Sequence, residues 1–396
     1  MIGCIAASAL VILVILAGCG SDNGGGPEPV TSVSLPLEST NVEICATALM
    51  AAQVTGGDTK GLDWYVNGTL GGNATVGTIS QANPATYTAP AAVPAQATVT
   101  VKAVSREDAT KLDSCLVTVK LTTVHVNVST GNDETGTGCV TAPFRTVTAG
   151  LAAADSGMTV LVAPGTYGVP LGEQSHAYIP KGVSLVGENR ETTILNQAYG
   201  LYDAHPALRN VTIDGAGLSA MAYLTYVATG ATNAVVDSVN FNGRAYLSVV
   251  RIAGVANATV SHCRLVVNDA QRLGRGMEVV FDDSGTIIRD CVFTGFNEGI
   301  FMNFSSDALI EGCTFDGNTY GVNTCCLDSP DSNPNPDLGG GARGSLGGNT
   351  FGDNTTCGLR NVTKNAMYAK HNTWAHTPPV AGVDYINMGT GSVIVE

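Results

Sequence analysis

"IIRDCVFTGFNEGIFMNFSSDALIEGCTF", residues 287–315, states one pattern twice. Ile288-x-x-Cys291-x-Phe293 returns as Ile310-x-x-Cys313-x-Phe315, 22 residues on. The same spacing occurs at Leu208/Val211/Ile213, Val236/Val239/Phe241, Val260/Cys263/Leu265, Leu346/Asn349/Phe351 and Ala369/Asn372/Trp374. Successive starts from Leu208 differ by 28, 24, 28, 22, 36 and 23 residues. A repeat of this length, rich in β-formers with Gly and Asn between, is the signature of a β-solenoid in which each coil stacks like residues on like. Cys263, Cys291 and Cys313 then fall in one column. Coils are about 4.8 Å apart, and a straight column offers no tetrahedral ligand set. No histidine interleaves within it, and buried cysteine is ordinary apolar filling. The three cysteines are architecture.

The 36-residue step carries "TCCLDSPDSNPNPDLGGGARGS", whose Gly, Pro and Asp content predicts a loop over residues 324–344. Asp328, Asp331 and Asp337 are the carboxylates a Ca²⁺ ion would use there; the alternative is a solvated acidic loop. A disulfide from Cys325 or Cys326 to Cys357 is compatible with one coil of separation, and the partner of Cys139 is left open.

The N-terminal run "IAASALVILVILAGC" ends in Leu16-Ala17-Gly18-Cys19. An apolar segment of this size followed by small residues reads as a secretory signal, not a spanning helix. Leu-Ala-Gly-Cys resembles the bacterial lipobox, which implies cleavage before Cys19 and lipid on its thiol. No Lys or Arg precedes the apolar run, a departure from the usual signal. Residues 19–32 read as a Gly-rich tether. Gly20 in place of Asp implies the outer membrane by the enterobacterial sorting pattern. Net charge is −14 with 13% charged residues, which argues against nucleic acid. Gly is abundant at 48 and aromatics are few at 6%, a balance that favours β structure with many turns.

Residues 33–121 hold short alternating strands: "VTSVSLPL", "LDWYVNG", "ATYTAP", "ATVTVKAVS" and "CLVTVKL". That spacing predicts a small β-sandwich with Trp64 in its core. The segment resembles bacterial immunoglobulin-like domains. In that fold the early strand holding Cys45 and the last strand holding Cys115 run side by side, so the resemblance implies a Cys45–Cys115 disulfide. The alternative is two buried free thiols.

Residues 122–396 read as the solenoid. Phe144, Val147 and Leu151 in "FRTVTAGLAAA" fall at i, i+3, i+7, which predicts one short amphipathic helix. From Val124 to Gly187 the chain resembles a domain of unknown function in the pectin-lyase-like group. The resemblance implies a right-handed parallel β-helix whose first coil is plugged by that helix.

The second strand of each coil appears in "SVVRIA", "GMEVVF", "EGIFMNF", "YGVN" and "CGLRN". Aligned on their inward residues, these project Arg251, Glu278, Phe301, Asn323 and Arg360 outward in one row, a candidate groove for sugar hydroxyls and ring faces. Eight of the twelve arginines lie between Arg190 and Arg289, a local excess suited to a uronate. Catalytic signals are sparse. Arg272 and Arg275 are candidates for a lyase base, and Asp282-Asp283 for paired acids, although adjacent Asp residues before Ser-Gly also make a turn. No Ser-His-Asp elbow, P-loop or HExxH motif is present. The reading is an all-β, lipid-anchored, monomeric envelope protein, an immunoglobulin-like sandwich followed by a parallel β-helix. Its solenoid is expected to bind a polysaccharide or another surface partner without turnover. The alternatives are a polysaccharide lyase or hydrolase, and a structural or adhesion stalk.

Overall fold

The computed structural model describes residues 29–57, 61–218, 222–243, 247–255, 257–267, 274–281, 285–304, 306–325 and 333–396. Cys19 and the signal segment lie outside the described residues.

Two N-terminal sheets enclose one apolar core. The larger has five strands in the order Ser39–Glu43, Leu112–Lys120, Thr98–Ser105, Leu62–Val66, Thr69–Leu70. The smaller has four: Thr47–Met50, Ala85–Thr88, Gly77–Ile79, Gly72–Asn73. Strict alternation along Thr98–Ser105 turns Val99, Val101 and Ala103 inward onto Trp64 and Tyr87, all fully buried. Trp64 is a core residue, as its sequence context predicts.

The expected Cys45–Cys115 bond is not formed; Cys45 is bonded to Cys139, with Cα atoms 6.0 Å apart. The two strands do run side by side, but their parallel register pairs Leu116 with Ser39 and Lys120 with Glu43. Cys45 therefore lies two positions past Lys120, about seven residues or roughly 23 Å along the strand from Cys115. Cys115 is buried as a free thiol, and burial pushes its pKa up. The bond instead joins the sandwich to the opening of the solenoid. Beside it, the Glu43 carboxylate accepts from the Thr122 amide at 2.9 Å and its hydroxyl at 2.6 Å.

Beyond residue 122 the chain winds through three parallel sheets. The first has eight strands from Thr123–Val126 to Ala308–Glu311, the second eight from Gly165–Gly168 to Thr350–Phe351, and the third nine from His176–Ile179 to Tyr385–Asn387. Every neighbouring pair in these sheets is parallel, and the winding is of the right-handed type. The helix Val147–Ala153, shorter than the run predicted for it, buries Val147 and Leu151 in the same core as Val124, Val126 and Val160 of the first coils. Seven residues are too few for a stable isolated helix. Packing over the open end of the core holds it, with Thr146 capping its N-terminus through the Ala149 amide at 3.2 Å.

The predicted columns are present. Leu208, Val236, Val260, Ile288 and Ile310 are in register, as are Ile213, Phe241, Leu265, Phe293, Phe315 and Phe351. Phe293, Phe315, Phe351 and Trp374 form a continuous stack with centroid steps of 5.1, 5.3 and 4.6 Å. A glycine column lies against it. A methyl group on Gly276, Gly299 or Gly321 would sit 2.5–2.6 Å from the next glycine's carbonyl oxygen and 3.0–3.2 Å from a phenyl carbon. Cys263, Cys291 and Cys313 are buried, each thiol donating to carbonyls of its own and the preceding coil.

The insertion departs from expectation. Leu346 is 80% exposed, and Leu338 is buried in the column that Leu346 was expected to fill. Asp337 bridges Leu309 and Tyr368 in parallel, so the supposed loop supplies a sheet position. Asp337 itself is buried and accepts four amide hydrogens, from Gly339, Gly341 and Arg343 at 3.0 Å and from Ser345 at 3.3 Å. Those bonds fold the Gly-rich turn and engage both carboxylate oxygens, so Asp337 organises the turn. Asp328 and Asp331 lie outside the described residues. Asp337→Ala is expected to lower stability by about 2–4 kcal/mol in urea unfolding, with Asp337→Asn intermediate. A melting temperature that rises with added Ca²⁺ in the wild type but not in Asp337→Asn would overturn the assignment.

Candidate binding face on the third sheet

The strand register of the third sheet places Tyr178, Gly200, Tyr226, Arg251, Glu278, Phe301, Asn323, Arg360 and Ile386 in one outward row. The five residues predicted to line a groove are therefore adjacent and in the expected order. A second outward row, Tyr223, Ser248, Arg275, Glu298, Tyr320 and Cys357, runs beside it.

The middle of the predicted groove is nevertheless closed. Glu278, Phe301 and Asn323 are only 6%, 6% and 3% exposed. The Arg275 guanidinium lies across the Phe301 ring, 3.6 Å from its centroid, which denies that ring to a sugar. Arg275 binds Glu278 at 2.9 Å and Glu298 at 3.0 Å, and Arg251 meets Glu278 at 3.3 Å. Ser248 donates to the other Glu278 oxygen at 3.0 Å, and Asn323 donates to Glu298 at 2.9 Å. All four carboxylate oxygens thus accept hydrogen bonds within an ion ladder. Arg360, at the far end, rests over Tyr320 at 5.2 Å.

The open part of the face lies on the N-terminal coils, in residues the repeat pattern did not single out. Tyr178 and Tyr202 are 56% and 40% exposed. Their rings meet edge-on at 5.1 Å, Tyr202 meets Tyr226 at 5.8 Å, and Tyr226 tilts against Tyr223 at 5.4 Å. His176 extends the series at 5.7 Å from Tyr178. Together they line a shallow cleft of about 140 Å³. Ligand pockets that envelop a small molecule run to roughly 300 Å³ or more, so this trough suits one ring face laid on it. Gly200 makes the trough: a side chain there would collide with the Tyr202 ring and lie 2.8 Å from Tyr178 Cδ1. Burial, then the neighbouring Tyr178 and Tyr226, raise the Tyr202 pKa, so its phenol stays a hydrogen-bond donor well into the alkaline range.

Arg251 marks the boundary between trough and ladder. Its guanidinium is ringed by Tyr223 at 5.0 Å, Phe281 at 5.3 Å and Tyr226 at 5.8 Å, and it bonds the Tyr223 hydroxyl. Phe281 continues the aromatic surface, stacked on Phe304 at 4.6 Å. Of the catalytic candidates, Arg272, Asp282 and Asp283 lie outside the described residues. Arg275 is described, and its guanidinium is held by Glu278 and Glu298. Its geometry is that of a structural cation. His262 and His371 both occupy left-handed corners between sheets, and His262 engages Asp237 at 2.8 Å. Among the described residues no group of three or more His, Cys, Asp or Glu side chains is arranged to hold a metal ion. Cys357 donates to the Leu359 carbonyl at 3.3 Å, and burial pushes its pKa up to about 11.

Three parallel sheets with a helix over the first coil define a parallel β-helix, here with an aromatic trough on its third sheet. The family described as protein of unknown function (DUF1565) matches residues 129–381, and the chain belongs to it. A solved rhamnogalacturonan lyase aligns at 13% identity and a TM-score of 0.44, covering 66% of this chain and 80% of that one. No curated protein matches the chain.

Proposed function

We propose that this protein is a lipid-anchored carbohydrate-binding protein of the bacterial envelope, and that it holds glycan on the tyrosine trough without cleaving it. The observation that carries the reading is the chain of ring contacts through Tyr178, Tyr202, Tyr226 and Tyr223 on the third sheet, the first two exposed and the last two half-buried. Aromatic faces pack against the C–H face of a pyranose, and phenol hydroxyls bond its edge. The strand ladder lays the rings along the solenoid axis, the direction in which a polymer would run. Against turnover stands the ladder beside the trough, whose carboxylates and guanidinium are already committed to each other.

The test uses residues 20–396 on affinity gels of acidic and neutral polysaccharides, with reducing ends and unsaturated uronate followed in parallel. Tyr202→Ala is expected to weaken retention about tenfold, one stacked ring being worth on the order of 1.5 kcal/mol. Phe301→Ala is expected to leave retention on the trough in place, because Arg275 covers that ring. Released product would move the protein to the lyase or hydrolase class. Failure to be retained on any polymer would leave a structural stalk.

A further inference from the structure

We infer that the trough selects an uncharged glycan and excludes polyuronates. The inference rests on the carbohydrate reading and specifies the ligand of the same face. Three observations carry it. First, the residues lining the cleft are tyrosines, alanines, a glycine and His176; none is Lys, Arg, Asp or Glu. Tyrosine hydroxyls donate and accept, which suits hydroxyl groups, whereas a carboxylate needs a cation or several converging donors.

Second, the arginines nearest the trough are already neutralised. Arg251 and Arg275 face Glu278 and Glu298 in a closed ladder, two cations against two anions. The arginine excess between residues 190 and 289 is likewise largely paired where described. Arg190 contacts Glu191 at 3.3 Å, and Arg209 contacts Asp237 at 3.6 Å. Arg360 has no acidic partner within the third sheet, but it stands five strands beyond Tyr226, about 24 Å away. Third, the chain carries a net charge of −14, so an approaching polyanion meets a repulsive net field, and no Lys or Arg lines the cleft to offset it.

The selectivity therefore has a switch that can be thrown by one atom pair. Glu278 contacts both arginines, and Glu278→Gln changes the ladder from neutral to +1 with almost no change in volume.

Retention is compared on polygalacturonate, on the same polymer after carboxyl reduction, and on soluble β-glucan, xylan and galactomannan. Salt is varied from about 50 to about 500 mM, which collapses the screening length. The wild type is expected on at least one uncharged polymer, with retention changing less than about twofold across that range and falling in Tyr202→Ala. Glu278→Gln, checked for folding by circular dichroism and melting, is expected to gain salt-sensitive retention on polygalacturonate. Wild-type retention on polygalacturonate alone, weakening with salt, would overturn this inference and leave carbohydrate binding intact. A folded Glu278→Gln that still ignores polygalacturonate would overturn the role given to the ladder. Absence of retention on every polymer would remove both this inference and the reading beneath it.

Discussion

Phe315→Ala is expected to destabilise the solenoid by about 3–5 kcal/mol. Phe315 is fully buried and stacks on two rings at once, Phe293 at 5.1 Å and Phe351 at 5.3 Å, with interplanar angles of 9° and 12°. Removing the ring deletes both stacks and leaves a void that rigid strands on either side cannot collapse. In a quasi-one-dimensional fold each coil contacts only its neighbours, so the loss falls on the coupling between coils. Urea unfolding followed by near-ultraviolet circular dichroism is expected to show an earlier transition, split where the wild type is cooperative. Phe315→Leu, which refills most of the volume, is expected to recover over half of the loss. A change below about 1 kcal/mol for the alanine variant would mean that the stack is not a principal source of stability.

Cys139→Ser is the second large effect. The Cys45–Cys139 bond closes a loop spanning 94 residues that contains most of the sandwich core. Chain entropy assigns such a crosslink about 4–5 kcal/mol, with measured values commonly lower. Thermal melts in the presence and absence of reductant are expected to differ for the wild type and to coincide for Cys139→Ser. Cys115→Ser is expected to leave that reductant sensitivity in place, because its thiol is buried and unbonded. A non-reduced digest decides the pairing directly: a peptide linking residues 45 and 139 supports it, and one linking 45 and 115 overturns it.

The parallel solenoid and its columns were legible because inward residues repeat at a fixed period and stack on their own kind. The outward row was legible for the same reason, since alternation fixes which side chain faces out. Alternation says nothing about what then lies across an outward residue. Phe301 faces outward and is buried all the same, because Arg275 reaches over it from the next row. The tyrosine trough was missed because the outward row was aligned only from "SVVRIA" onward, one strand after Tyr226, and the coils before Leu208 lack the Φ-x-x-(C/N/V)-x-Φ signature. Tyr226 precedes an inward Val227 in "LTYV" just as Arg251 precedes Ile252, so extending the outward row one strand upstream reaches Tyr226 and three strands upstream reaches Tyr178. Leu346 was misassigned because the pattern fits the sequence equally well at a residue the Asp337 turn turns out into solvent. The Cys45 partner was misassigned because adjacency of two strands does not fix their offset.

The phenyl stack and the glycine column beside it give successive coils nearly identical end faces. The segment from Phe315 to Phe351 spends 36 residues where other repeats spend 22 to 28, yet Phe351 lands squarely on Phe315. A coil is consequently a unit that a gene can duplicate or lose at these positions while its neighbours continue to fit. Among descendants of such a chain, reach along the axis would evolve by copy number, in increments of about 4.8 Å, and the surface chemistry of each added coil could diverge without disturbing the interior.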